Sequence, residues 1–223
     1  MVQALWTGRF TWVLHMARRL KFTCMLIGVL GILEGCAGAS VSVPTRFPVP
    51  LVQKVPLVVG MHLPDELINY TYVQDLGQDG EFSIDLGNAQ RTMFENLFTG
   101  MFNGIEFVDD PSLPNEGIAG VLVPHISELQ FSTPEQTRSD YFEVWIRYQF
   151  ELYSRDGQLL GEWPLTAYGK ANTQNYGLST TEPTLQAAAL AACRDAMAFF
   201  TLQFRSIPAV QSWLAAELLG GST

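Results

Sequence analysis

The chain has 223 residues, of which 48% are apolar and 16% are charged, and its formal net charge is −9. This length indicates one domain, with or without a processed segment, and an aromatic content of 12% argues against a disordered chain. Residues 36–223 carry nine Lys and Arg against 21 Asp and Glu, a net charge of −12. Such an acidic body is a poor candidate for binding nucleic acid or an anionic lipid surface through its net charge.

An apolar segment follows a basic cluster near the N-terminus. Residues 22–33, FTCMLIGVLGIL, come directly after Arg18-Arg19-Leu20-Lys21 and are followed by small residues. The segment is too short to span about 30 Å of hydrocarbon, which takes about 20 residues. The order basic, apolar, small predicts a secretory signal peptide over residues 1–35. Residues 1–15 do not fit a basic leader, whereas Met16 begins one of ordinary proportions, so we expect translation to start at Met16.

The end of this segment, Leu33-Glu34-Gly35-Cys36, resembles the lipobox of bacterial lipoproteins. Glu34 departs from the family pattern, which has a small or apolar residue there. The resemblance implies that Cys36 is acylated and becomes the new N-terminus, anchored by lipid in the outer membrane and facing the periplasm. Several acyl chains together anchor a protein stably, since each buried methylene contributes about 0.8 kcal/mol. Two alternatives stay open: a non-lipidated signal cleaved near residues 37–39, and an uncleaved short anchor.

The cysteine count fits this processing. Cys24 would leave with the signal and Cys36 would carry lipid, so Cys193 would be the single remaining thiol and no intramolecular disulfide could form. Cys193 lies in an Ala-rich helical stretch without an adjacent histidine. This environment predicts a buried thiol, with a reactive thiol as the alternative.

The mature body has the pattern of an α+β domain. Residues 36–54 contain three prolines and no amphipathic period, which predicts a lipidated N-terminus and an extended tether, with one folded domain over 55–223. The element order predicts a mainly antiparallel sheet with helices packed on one face. We predict strands over 55–63, 105–108, 120–131, 141–153 and 158–171, a loop over 70–80, and helices over 88–102, 181–199 and 208–220.

The clearest strand is 141–153, because its apolar and polar residues alternate strictly. Its predicted inner face is Phe142, Val144, Ile146, Tyr148, Phe150 and Leu152. Asp156-Gly157 predicts a hairpin turn into the next strand. Pro164 indicates that this second strand is an edge or carries a bulge, and Pro124 predicts a break or bulge in the strand over 120–131.

The helix over 88–102 has two apolar stripes at a spacing of four, which predicts a wide buried face. We expect Asp85 or Asn88 to cap it and Gly104 to stop it. A core position for this Met/Phe face and a hydrophobic ligand cleft are both compatible with the pattern. The stripes are Met93, Leu97, Met101 and Phe94, Phe98, Phe102. The inward faces predicted for the C-terminal helices are Leu185, Ala189, Ala192, Ala196, Phe199 and then Val210, Trp213, Leu214, Leu218.

Motifs for catalysis, metal binding or cofactor binding are absent from the sequence. There is no nucleophile elbow, glycine-rich phosphate loop or paired set of metal ligands, so we predict no catalytic residue, no metal and no cofactor. His62 and His125 are predicted to be hydrogen-bonded sheet residues. Residues 75–80 resemble a fragment of an EF-hand loop without its necessary ligands, which indicates a polar turn.

The outer face of the strand over 141–153 is the candidate binding surface. Tyr141, Trp145, Arg147 and Tyr153 fall on this face, and Tyr, Trp and Arg are enriched at interaction hot spots. Cross-strand packing or a second helix layer would use the same residues. The polar segments 132–140 and 172–182 would form the rim, and Glu143 is expected beside Arg147.

The body resembles, in element order alone, small periplasmic lipoproteins such as the lipoprotein partner of the lipopolysaccharide-transport barrel and several uncharacterised lipoproteins. This topological resemblance carries no site residues. We expect a non-enzymatic outer-membrane lipoprotein that binds another envelope protein or assists assembly. The alternative is a module that binds an apolar or lipid-like ligand between the Met/Phe helix and the sheet.

Overall fold

The computed structural model describes residues 38–177 and 180–220. The predicted signal peptide, the start at Met16 and the lipobox Cys36 lie outside these residues. The described strands are β1 Gly38–Ser42, β2 Val55–Met61, β3 Thr71–Asp75, β4 Glu81–Asp85, β5 Phe102–Phe107, β6 Gly120–Ser132, β7 Tyr141–Ser154 and β8 Leu159–Asn172. The described helices are α1 Asp65–Ile68, α2 Gly87–Met101, α3 Pro134–Thr137, α4 Thr181–Gln203 and α5 Pro208–Gly220. The fold is α+β, as predicted.

The strands form two mixed sheets, of orders β1-β4-β3 and β5-β2-β6-β7-β8. The pairs β3–β4, β6–β7 and β7–β8 are antiparallel, and the last two make the long ladders that the sequence predicts. β1 is parallel to β4, and β2 is parallel to both β5 and β6. These parallel pairs were not predicted, because they depend on long crossover connections rather than on a local turn.

The predicted inner face of β7 is confirmed, because all six of its residues are buried. Gly157 takes a positive φ of 78° in the turn that leads into β8. β8 is an edge strand, as Pro164 predicts. β6 pairs with β2 only through Val121 and Leu122, so Pro124 lies just beyond the paired residues on that side. The bulge in β6 falls at Ser127, between the paired residues Ile126 and Glu128.

The Met/Phe helix lies in the core. The N–H of Gly87, the first residue of α2, donates to the Asp85 carboxylate at 3.1 Å. The helix ends at Met101, and Phe102 begins β5 at once, so Gly104 is a strand residue rather than the stop. All six residues of the two stripes are buried. The ring of Phe94 packs edge-on against Phe150, with centroids 5.9 Å apart.

α4 packs its alanine face against β7 and β8. A Cβ placed at Gly169 would lie 2.2 Å from the carbonyl oxygen of Ala188, so the helix backbone touches the strand. Phe199 was predicted inward and is exposed, and Phe200 is buried instead, because the buried stripe continues at i+4 from Ala196. The span Thr181–Ser206 is long and apolar enough for a membrane helix, but its buried face belongs to this core.

α5 covers the end of the sheet near Gly120. Val210 and Trp213 are buried, and the Trp213 indole N–H donates to the Ala119 carbonyl oxygen at 3.0 Å. Leu214 is half-buried, as an inward position predicts. Leu218 is exposed and corrects the prediction, because Glu217, which pairs with Arg155, takes the inward position in this turn of the helix.

The predicted tether is folded from Gly38 onward, so the domain begins there and not at Val55. Gly38–Ser42 pairs with β4, and Val43 and Phe47 are buried. We call residues 43–54 the strap. Side chains of α2 and α4 donate hydrogen bonds to carbonyl oxygens of the strap. The predicted loop over 70–80 likewise contains β3, which pairs with β4.

Candidate interaction face

The candidate site lies on the outer face of the β6-β7-β8 ladder, where the alternation of β7 directs Trp145 and Arg147 away from the core. Gln130, Trp145 and Tyr168 form one cross-strand row, and Glu128, Arg147 and Thr166 form the next. We call these six residues the Trp145 face. Side chains directly opposite each other on one face of a sheet contact one another, so these rows make a single surface.

The Trp145 face combines an aromatic pair with an ion pair. The rings of Trp145 and Tyr168 lie 5.3 Å apart. The Arg147 guanidinium is 2.8 Å from the Glu128 carboxylate, and both side chains are substantially exposed. Five of the six residues line a shallow depression of about 190 Å³: Glu128, Gln130, Trp145, Arg147 and Thr166.

Glu143 contacts Tyr168 of the aromatic pair and does not pair with Arg147. Its carboxylate accepts a short hydrogen bond from the Tyr168 hydroxyl and another from Ser132 at 3.3 Å. The pKa of Tyr168 is raised to about 12, mainly by burial and secondly by the hydrogen bond to the Glu143 carboxylate. Glu143 and Arg147 are four residues apart on a strand, about 13 Å, which is too far for the predicted pairing. Arg147 pairs with Glu128 on the neighbouring strand instead.

Tyr141 and Tyr153, the other predicted members of the face, lie at its two ends. The Lys170 ammonium sits 5.0 Å from the centre of the Tyr141 ring. Tyr153 packs on a separate small apolar cluster and donates its hydroxyl to Glu151 at 2.9 Å. That cluster contains Val108, Ile118, Val121 and Val123. The structure thus brings Trp145 and Arg147 together and separates both tyrosines from them.

The predicted rim segments meet beside Tyr141. The Thr173 N–H donates to the Asp140 carbonyl oxygen at 2.8 Å, and the Gln174 amide donates to the Asp140 carboxylate at 2.9 Å. Thr133 caps α3 through a reciprocal capping box with Gln136. Residues 178 and 179 of the second segment lie outside the described residues. The described parts border one end of the Trp145 face.

The two histidines differ in how their ring nitrogens are satisfied. His62 Nδ1 is 2.9 Å from the Val108 carbonyl oxygen, which confirms a hydrogen-bonded ring, although the residue lies just after the end of β2 rather than in the sheet. His125 lies between two carboxylates, 3.6 Å from Glu66 and 3.7 Å from Glu151. Its buried Nε2 has no hydrogen-bond partner among the described residues, so the prediction of a satisfied ring was wrong for His125. The bulge at Ser127 follows this residue and alters the local register.

A buried polar trio lies on the opposite side of the sheet from the Trp145 face. The Tyr148 hydroxyl donates to Gln90 at 3.0 Å, and the Gln90 amide lies 3.6 Å from the Cys193 sulfur. All three residues are fully buried. Burial raises the pKa of the Cys193 thiol to about 12, so the predicted buried cysteine is confirmed and carries little thiolate at neutral pH.

The space predicted for an apolar ligand is filled by side chains. Phe94, on the Met/Phe helix, contacts Tyr148 and Phe150 on the sheet, with ring centroids 5.8 and 5.9 Å away. Phe98 contacts Phe200 of α4 at 5.6 Å. The Met/Phe pattern, which was also compatible with a ligand cleft, belongs to the core. Aromatic rings from α2, β7 and α4 fill the space between this helix and the sheet.

Tyr168 is the main residue that the sequence predictions missed. The hairpin turn at Asp156-Gly157 contains the signal that could have found it, because a two-residue turn there fixes the register of the following strand. In that register Trp145 lies opposite Tyr168, as observed. Glu128 was harder to find, because the bulge at Ser127 shifts the register of β6 relative to β7.

Sequence comparisons give no family for the chain: no family model and no curated protein matches it. Among solved structures it is similar to a Xanthomonas campestris protein of the DUF330 family, with a TM-score of 0.45 and 10% identity over 84% of this chain and 100% of that chain. A minor lipoprotein from Acinetobacter baumannii has a TM-score of 0.42 and 15% identity over 69% of this chain and 94% of its own. A hypothetical protein from Chlamydia trachomatis has a TM-score of 0.39 and 9% identity over 71% of this chain and 99% of its own. At these values the similarities support no transfer of function.

Proposed function

We propose that the chain is a lipid-anchored, non-enzymatic protein of the bacterial cell envelope whose domain binds another envelope protein through the Trp145 face. The anchor is Cys36, and the proposed location is the periplasmic side of the outer membrane. The observation that carries the binding proposal is the Trp145–Tyr168 pair beside the Arg147–Glu128 ion pair on an open sheet face.

The chemistry of this face suits a protein partner. Trp, Tyr and Arg dominate hot spots because they bury a large apolar area and keep a polar group for hydrogen bonding. The depression of about 190 Å³ is smaller than the roughly 300–1,000 Å³ of a typical small-molecule pocket. A broad face with a shallow depression accommodates a side chain from a partner better than it encloses a ligand.

The anchor rests on the order of residues before the fold. A basic cluster, an apolar segment and Leu33-Glu34-Gly35-Cys36 precede the first strand, and only Ala37 separates Cys36 from Gly38. An extended residue spans at most about 3.6 Å, so an acylated Cys36 would hold β1 within about 10 Å of the bilayer surface. The partner would therefore be another protein of the envelope.

Replacement of the lipobox cysteine tests the anchor. We expect Cys36→Ser to abolish labelling by a radioactive or clickable fatty acid and to release the protein from the membrane fraction. Cys193→Ser is the control, because that thiol is buried in the domain and has no part in anchoring. Unchanged labelling and location of the Cys36 variant would refute the anchor.

Affinity purification of the membrane-anchored protein tests the partner. We expect a stoichiometric envelope protein in the wild-type eluate and a loss of about 30-fold or more with Trp145→Ala, the range of a hot-spot residue. Arg147→Ala is compared with Arg155→Ala, since both arginines are about half exposed and each pairs with a glutamate. Equal recovery by all variants would exclude the Trp145 face as the binding surface.

A further inference from the structure

The strap lies between α2 and α4, and one side of the strap is exposed to solvent. The Phe47 carbonyl oxygen accepts a hydrogen bond from Asn96 of α2 at 2.8 Å, and the Arg46 carbonyl oxygen accepts one from Arg194 of α4 at 3.3 Å. Further along, Arg205 donates to the Gln53 carbonyl oxygen at 3.0 Å. These contacts hold the strap parallel to α4.

The exposed side of this arrangement is apolar. Leu51 is 100% exposed, and Leu202, near the end of α4, is 79% exposed. Two further large apolar side chains there are more than a third exposed: Val49 and Val52. The hydrogen bond between Arg205 and Gln53 joins the strap to the end of α4, so these side chains belong to one region. A contiguous group of exposed apolar residues indicates an interaction site.

Basic residues accompany this apolar group. Arg46, Lys54, Arg194 and Arg205 are all exposed, and Arg46 and Arg194 line one open depression. Within the described ranges the Lys and Arg side chains that form ion pairs are Arg91, Arg147 and Arg155, so none of these four bases is paired with a carboxylate there. We call the four apolar residues Val49, Leu51, Val52 and Leu202 and these four basic residues the strap surface. It holds four of the nine bases of a body whose net charge is −12.

We propose that the strap surface is the face on which the domain lies against a bilayer that contains anionic phospholipid. Apolar side chains surrounded by Lys and Arg are the pattern of interfacial membrane contact, because the apolar groups enter the headgroup boundary while the bases bind phosphates. This inference adds an orientation to the proposed lipid anchor, which makes the contact intramolecular and so raises its effective concentration.

The charges around β1 favour contact through the strap surface over an end-on orientation, in which the β1 end of the domain would face the bilayer. Gly38 pairs with Glu81, and Asp75 lies opposite Glu81 in the adjoining β3–β4 hairpin, which also carries Asp79. An end-on orientation would place these carboxylates against anionic lipid. Contact through the strap surface places cations there instead. A short connection from Cys36 through Ala37 holds β1 near the bilayer in either case.

A probe on Leu202 tests the orientation. The acylated protein, whose Cys36 modification is first verified by mass spectrometry, carries an environment-sensitive fluorophore at Leu202→Cys and is reconstituted in vesicles of phosphatidylcholine with about 30% phosphatidylglycerol. Cys193 is buried and resists labelling in the folded protein. Leu113→Cys, 58% exposed in the loop between β5 and β6, is the matched control position.

We expect spin-labelled lipid to quench the Leu202 probe at least several-fold more than the Leu113 probe, and quenching to fall when phosphatidylglycerol is omitted. The double variant Leu51→Asp with Lys54→Glu removes one base from the strap surface. It should reduce quenching at Leu202 on the order of fivefold. Leu113→Asp with Arg138→Glu is the control pair and should leave it unchanged. Circular dichroism checks that both variants are folded.

Equal quenching at both positions, or quenching independent of anionic lipid, would overturn the inference. Self-quenching of the Leu202 probe without lipid quenching would also overturn it and would assign the surface to a second copy. A chain without acyl groups on Cys36 would refute the proposed anchor but not the strap surface. In that case the Leu202→Cys chain that also carries Cys36→Ser, labelled and added to preformed vesicles, still shows whether the surface binds anionic lipid.

Discussion

The two faces of β7 use similar residue types in opposite ways. On the inner face the hydroxyl of Tyr148 is bonded to Gln90, and its ring packs against Phe94 and Phe150. On the outer face Trp145 packs on Tyr168 beside an exposed ion pair. The difference lies in what covers each face, since α2 and α4 close the inner one. Aromatic residues alternating along a strand therefore do not by themselves identify a binding surface.

The largest expected effect is on the inner face. Phe150→Ala should lower the free energy of unfolding by about 3–5 kcal/mol, because it leaves a cavity beside Trp163 and Phe200, whose ring centroid is 4.7 Å away. Urea denaturation measures the loss. Gln149→Ala, at the neighbouring outward position, should change stability by no more than about 0.5 kcal/mol. Similar losses for both substitutions would contradict the assignment of the faces.

The buried polar trio sharpens the comparison. Gln90→Ala should destabilise the domain by about 1–3 kcal/mol, because it leaves the Tyr148 hydroxyl buried without its partner. The double variant Gln90→Leu with Tyr148→Phe removes both polar groups and should recover most of this loss. Denaturant melts of the two variants measure the difference. A double variant no more stable than Gln90→Ala would show that packing, not hydrogen bonding, sets the cost.

Alkaline pH should lower the free energy of unfolding through the buried thiol of Cys193, on the inner side of the sheet. Burial raises the pKa of Cys193 to about 12, above the value of about 8.5 for an unfolded thiol. The Cys193 thiol therefore ionises at a lower pH in the unfolded chain than in the folded one. The contribution of this protonated thiol to the stability of the folded state is complete below about pH 8.5 and is lost as pH rises towards 12. We expect the free energy of unfolding to fall by about 1 kcal/mol between pH 8.5 and 9.5. Cys193→Ala should flatten this part of the profile, and an equally steep profile would contradict the assignment.

The smallest expected effect is on the outer face. Arg147→Ala should change the free energy of unfolding by less than about 1 kcal/mol, because the Arg147–Glu128 pair is exposed and screened. The same variant is expected to reduce partner recovery, so its stability and binding effects separate. Thermal denaturation beside the affinity purification checks both. A large loss of stability would mean that the ion pair supports the sheet rather than a partner.

Much of the fold could be predicted from local periodicity. The alternation over 141–153 and the two stripes of α2 correctly identified buried residues, since burial repeats at every second residue of a strand and every third or fourth residue of a helix. Such patterns fail at individual positions. Phe199 and Leu218 continue an apolar stripe in sequence, but both side chains are exposed in the structure.

The candidate site was only partly predictable. Trp145 and Arg147 follow from the outward face of β7, but their partners Tyr168 and Glu128 come from neighbouring strands. A strand pattern defines which side a residue faces and not which residue lies beside it. Tyr141 and Tyr153 share the face of Trp145, yet the rise of about 3.3 Å per residue separates them from it.

The sequence by itself determined the resemblance to a lipobox, the α+β class and the inward face of the longest strand. Only the tertiary structure decided that the strap is folded, and that it brings exposed apolar residues and four bases to the same side of α4 on an acidic body. The sequence predicted no affinity for anionic lipid, because net charge averages over the whole surface. Chain packing segregates those charges, and a surface interacts through its local charge rather than through the average.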